Sequence, residues 1–148
     1  MKQIKNITLA FLLIIVITSC EENDPPELVD DAQQEIIDAL SKTWSTSSVL
    51  QDNNSVSGDW SDFRIQLTEN MGYTSNSSTN EQKLIWPISG SYTFPDVDNP
   101  NKILRSDGVE INLSNVTETS ATLSFQITGR SNGRSNSLIG EWVFILGI

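Results

Sequence analysis

Ala121-Thr122-Leu123-Ser124-Phe125-Gln126-Ile127-Thr128 alternates apolar and polar residues without a break. Successive side chains of a strand point to opposite faces. The octet therefore reads as a half-buried strand, with Ala121, Leu123, Phe125 and Ile127 inward. The same period of two recurs upstream. Val109, Ile111 and Leu113 alternate with polar residues, and so do Phe63, Ile65 and Leu67. Residues 44–50, 84–88, 90–94, 102–105 and 138–146 are further strand candidates, with Pro87 marking an edge or a bulge.

Turn chemistry separates these runs. Asp52-Asn53-Asn54-Ser55, Asn70-Met71-Gly72, Pro95-Asp96-Val97-Asp98-Asn99-Pro100 and Ser106-Asp107-Gly108 are all turn-formers. Residues 75–82 and 129–137 are polar and read as loops. About eight or nine short antiparallel strands are expected, with turns roughly every ten residues. This all-β pattern fits an up-and-down barrel or, alternatively, a sandwich. Nothing alternates strand with helix, so no parallel sheet is expected.

One helix precedes the strands. Asp24 is an N-cap candidate, Pro25 suits the first helical position, and Glu27 completes a capping-box spacing. Leu28, Ala32, Ile36 and Leu40 then recur every four residues, supported by Val29 and Ile37. This stripe is expected to dock on the β domain, across one end if the domain is a barrel.

The N-terminus carries an address. Lys2 and Lys5 precede an apolar run from Leu9 to Ile17, followed by Ile17-Thr18-Ser19-Cys20. A basic start, a short apolar core and small residues before the cut define a secretory signal. The run is shorter than the roughly 20 residues a membrane-spanning helix needs. A cysteine at this position resembles the lipobox of bacterial lipoproteins. The resemblance implies a signal peptide over 1–19, a lipidated Cys20, an acidic tether over 20–26, and a helix plus β domain over 27–148. The acidic cluster after Cys20 also resembles the surface-export signal of some Gram-negative lipoproteins. An outer-membrane lipoprotein of the cell envelope is the expectation, with the acidic run either an export signal to the surface or a solvated spacer that holds the domain off the bilayer.

Composition narrows the chemistry. The 148-residue chain has no histidine, and Cys20 is its single cysteine. Histidine is the commonest general base and transition-metal ligand, so Ser–His–Asp, Cys–His and His-based zinc chemistry are all excluded. The net charge is −10, and eight of the nineteen acids lie within residues 21–38. Neither nucleic acid nor a bare anionic bilayer suits such a surface. No phosphate loop, dinucleotide fingerprint or hydrolase elbow occurs, and no cofactor or catalytic residue is expected. Asp96, Asp98, Asn101 and Asp107 have oxygen-ligand character. However, Pro100 and Asn101 break a calcium-loop register, so a polar turn is expected and no metal.

Several elements, taken in order, resemble small lipocalin-like lipoproteins of Gram-negative bacteria. They are a short helix, Trp44 on the first strand, Phe63 to Thr68 followed by Gly72-Tyr73-Thr74, and Ser89 to Phe94. Ser106-Asp107-Gly108, Ala121 to Phe125 and Gly140-Glu141-Trp142-Val143-Phe144 complete the set. The resemblance covers roughly residues 38–148 and implies an eight-stranded meander. Two features depart from it. Ser41 and Lys42 stand where lipocalins carry the glycine of Gly-x-Trp, and residues 138–148 lack the arginine that packs across that tryptophan.

Four tryptophans, Trp44, Trp60, Trp86 and Trp142, are many for one small domain. With Phe125, they either pack the core or line a site for a small apolar or glycan-like ligand. Trp60, within polar Gly58-Asp59-Trp60-Ser61, reads as loop-borne, either packed inward or exposed at a rim where it could stack on a partner. Arg130 and Arg134 flank Asn132-Gly133 as a candidate anion fork, or simply keep a loop soluble. Two functions follow as expectations. One is a lipid-anchored, non-enzymatic binding module. The other is an accessory lipoprotein that meets another envelope protein. A cavity of a few hundred Å³ with convergent polar groups favours the first. A solid interior with an exposed apolar patch favours the second.

Overall fold

The computed structural model describes residues 31–128 and 136–148. In chain order these form α1 (Asp31–Leu40), β1 (Thr43–Gln51), the two-residue β2 (Asn54–Ser55), β3 (Arg64–Leu67) and β4 (Gly72–Ser75). Then come α2 (Asn80–Ile85), β5 (Ser89–Thr93), β6 (Lys102–Arg105), β7 (Glu110–Ser114), β8 (Ser120–Ile127) and β9 (Gly140–Gly147). Single 3-10 turns occupy Ser57–Trp60 and Asn136–Leu138.

Every strand pairing is antiparallel, and strand order follows chain order from β3 to β9. β1 pairs with β3 on one side and β9 on the other, which closes the sheet. The result is an eight-stranded up-and-down barrel of the lipocalin-like kind, not a sandwich. β2 is an extra strand, hung on β1 by a hairpin whose Asp52 and Asn53 both have positive φ, 48° and 64°. Aspartate and asparagine tolerate that conformation better than most residues.

The decisive octet behaves as its pattern requires. Ala121, Leu123, Phe125 and Ile127 are buried, and they pair with Leu146, Phe144, Trp142 and Gly140 of β9. β1 alternates less cleanly, and the reason is geometric. Trp44 and Val49 are both buried although five residues apart. Strict alternation would put one of them outside, so a bulge between Thr46 and Ser48 resets the phase.

α1 closes the end of the barrel where β1 begins. Ile37 and Leu40 are buried in the core, and the Trp44 indole N–H donates to the Leu40 carbonyl at 2.9 Å. The expected stripe is met at Ile37 and Leu40 and missed at Ala32 and Ile36. Gln33, Ile37 and Leu40 face the barrel, while Ala32 is exposed and Ile36 only half-buried. Asp24 to Val29 lie outside the described residues.

α2 closes the opposite end and corrects two expectations. Residues 75–82 are not wholly a loop, and 84–88 are not a strand. Thr79 caps the helix: its hydroxyl accepts from the Gln82 N–H, and the Gln82 side chain reaches back to the Thr79 N–H. This reciprocal box satisfies donors that a helix start leaves unpaired. The Trp86 N–H closes the helix on the Gln82 carbonyl at 2.6 Å, and Pro87 turns the chain towards β5. Trp86 is thereby delivered into the barrel from above.

Candidate functional site: a cleft at the α2 end

The barrel interior is filled with aromatic rings. Trp86 meets Tyr73, Phe125 and Phe144 at centroid distances of 6.0, 5.7 and 5.7 Å. Phe125 stacks on Phe144 at 5.7 Å, and Phe144 takes the Trp60 ring edge-on at 4.8 Å. Such contacts add to the burial of the rings, by about 1 kcal/mol per pair. A ligand inside the strands would have to displace this cluster.

Arg105 completes the plug. Only 1% exposed, it points inward from β6, with its guanidinium 4.9 Å from the Trp86 ring and 5.7 Å from Phe125. Nε and Nη2 donate to the two Asp107 carboxylate oxygens at 2.9 and 2.5 Å, and Nη1 donates to the Ile85 carbonyl at 3.0 Å. The fork, the carbonyl and the rings together compensate a charge that burial alone would make costly. Tyr73 and Tyr92 are also buried. Burial raises both phenol pKa values, that of Tyr92 to about 12.

Outside the plug lies a cleft of about 550 Å³. Its walls come from the end of β1 (Gln51), from Val56, Asp59 and Trp60, and from the start of α2 (Thr79, Glu81, Gln82). Ser137, Leu138 and Trp142 complete it. Trp60 and Trp142 meet edge-to-face at 5.7 Å. Each indole is anchored: Trp142 donates its N–H to the Leu138 carbonyl at 3.0 Å, and Trp60 packs on Phe63 at 5.1 Å. The walls are buckled together by Gln82, whose amide nitrogen donates to the Asp59 carbonyl at 2.8 Å. Gln51 is held likewise, donating to the Ser137 carbonyl at 2.7 Å.

The expected site residues are only partly brought together. Trp60 and Trp142 share the cleft, Trp86 and Phe125 lie one layer deeper, and Trp44 sits at the far end under α1. Trp60 is carried by a turn as expected, but it is 3% exposed rather than open at a rim. Its ring is taken up by T-shaped contacts with Phe63, Phe144 and Trp142. Cys20, Arg130 and Arg134 lie outside the described residues. The four oxygen-ligand candidates do not converge. Asp107 takes the Arg105 fork, while Asp96 accepts from the Asn99 N–H in a turn beyond the other end of β6. Among the described residues no cluster of three or more His, Cys, Asp or Glu side chains could hold a metal.

Arg105, Asp59, Glu81 and Gln82 were not expected at a site. A signal for part of this existed, because Thr79-Asn80-Glu81-Gln82 is a capping-box sequence. For Arg105 there was none, since a charged residue in a short strand reads as outward-facing. The chain matches no family model, no curated protein and no solved structure.

Proposed function

We propose that the chain is a lipid-anchored, lipocalin-like module of the cell envelope. In this reading it binds a small glycan-like ligand, without catalysis, in the cleft at the α2 end. One observation carries the reading: two tryptophans meet on the wall of an open cleft whose other residues are Val56, Leu138 and a set of carboxylates, amides and hydroxyls. Sugars present apolar C–H surface and a ring of hydroxyls, and this mixture answers both. A purely apolar ligand within the strands fits less well, because the aromatic cluster and Arg105 fill that space. The anchor and the envelope location rest on Ile17-Thr18-Ser19-Cys20.

The packed interior gives some support to the accessory role as well. Ile145 on β9 and Ile148 just after it are exposed, as are Ile88, Val97 and Leu104 elsewhere. They are spread over separate strands and turns, which weakens that reading.

Indole N–H signals in ¹⁵N NMR spectra discriminate the possibilities, because the four tryptophans occupy three places. Oligosaccharides added to residues 21–148 are expected to shift the Trp60 and Trp142 signals and leave Trp44 still. A dominant Trp86 shift would place the ligand inside the barrel. Silence across a broad glycan panel would end the binding reading in favour of the accessory one.

A further inference from the structure

We infer that the ligand of this cleft carries a positive charge: a protonated amine, as on an amino sugar. The inference rests on the cleft being a binding site, and it names the chemistry the site selects. Among the described residues the cleft is lined by two carboxylates, Asp59 and Glu81, and by no basic side chain. Among the described residues the ion pairs are Lys102–Glu110 and Arg105–Asp107, so neither cleft carboxylate is neutralised by them. Both side chains are exposed, one on the 3-10 turn and one on α2.

Their placement is built rather than loose. The Gln82 amide binds the Asp59 main chain, and Gln82 directly follows Glu81, so the backbones carrying the two acids are fixed to one another. Trp60, adjacent to Asp59 in sequence, holds that turn down through three aromatic neighbours, Phe63, Trp142 and Phe144. The Thr46 hydroxyl adds a bond to the Trp60 carbonyl. Two anionic groups lining one cleft suit an ammonium group better than a neutral one. The same arrangement repels carboxylated or sulfated sugars, and the overall charge of −10 adds to that discrimination.

The test uses three probes on the soluble chain at about pH 6, where such amines are protonated. They are tetraglucosamine, its fully N-acetylated counterpart, and spermidine, which has the charge without the sugar. Affinity is read by calorimetry, and location by the four indole signals. Tetraglucosamine is expected to bind at least about tenfold tighter than the acetylated tetramer, a gap worth about 1.4 kcal/mol. Asp59→Asn with Glu81→Gln is expected to erase that preference. Asp96→Asn with Asp98→Asn, remote from the cleft, is expected to keep it.

Equal or tighter binding of the acetylated tetramer would overturn the charge inference and leave glycan binding standing. An equal loss in the remote pair would overturn it too, by tracing the preference to overall charge. Spermidine alone binding in the cleft, in an Asp59- and Glu81-dependent way, would uphold the charge and remove the sugar. No probe moving Trp60 or Trp142 would overturn both.

Discussion

The Gln82 side chain donates to the Asp59 carbonyl at 2.8 Å while its oxygen accepts from the Ser78 N–H at 2.8 Å. One glutamine thus joins the α2 capping box to the turn that carries Trp60. Gln82→Ala removes the cross-link and leaves the Asp59 carbonyl and the Ser78 N–H without it. A loss of about 1–3 kcal/mol is expected in urea unfolding. Faster amide exchange should be confined to residues 57–60 and 78–82.

Arg105→Ala strips the guanidinium from Trp86, Phe125 and the Ile85 carbonyl, and leaves the Asp107 carboxylate without its fork. About 3–5 kcal/mol of destabilisation is expected. Arg105→Lys should recover only part, since an ammonium cannot span both Asp107 oxygens and the carbonyl in one plane. Arg105→Met with Asp107→Asn should cost less than Arg105→Ala, because no buried charge is then orphaned. Chemical denaturation of the three variants checks the ranking.

Tyr92 buries a hydroxyl with no hydrogen-bond partner among the described residues, and burial pushes its pKa up to about 12 against 10.0 for an exposed phenol. Below pH 10 the phenol is protonated in both folded and unfolded chains, and its contribution is constant. Between about 10 and about 12 only the unfolded chain releases the proton, so stability falls as pH rises through this window. Tyr92→Phe is expected to flatten that fall and to leave neutral-pH stability equal or up to about 1 kcal/mol higher. Thermal melts across the alkaline range decide it.

Gly90 pairs with Tyr73 across β4 and β5, and the phenol ring lies over the glycine. A Cβ on residue 90 would stand 2.6 Å from the Tyr73 hydroxyl and 2.7 Å from Cζ. Since Tyr73 is buried, its ring cannot simply swing away. Gly90→Ala is expected to cost about 1–3 kcal/mol. In a Tyr73→Ala background the same change should cost far less, and a double-mutant cycle measures the coupling.

The barrel was largely written in period-two runs: β3, β7 and β8 can be read directly from Phe63 to Leu67, Val109 to Leu113 and Ala121 to Ile127. β1 was blurred because its bulge shifts the phase between Trp44 and Val49. Closure could not be read at all, since the β1–β9 pairing joins residues about a hundred positions apart. At the site, tryptophan number was informative and tryptophan position was not. Whether an indole packs inward or lines a cleft depends on neighbours from other strands, as Trp60 against Phe144 shows. α2 was obscured because Leu84, Trp86 and Ile88 mimic a strand by alternation, although a capping box stands just before them.

The two helices close opposite ends of the barrel, and under the lipid-anchored reading this would set how the molecule is moored. α1 lies at the base, eleven residues after Cys20, and its outer face carries Asp31, Gln34, Glu35 and Asp38. A lipid on Cys20 would act as a leash of at most about 40 Å attached to that base. Phosphate headgroups would repel the acidic underside. The domain would then ride clear of the bilayer with its mouth turned outward, catching solutes from the aqueous side rather than drawing them from the lipid.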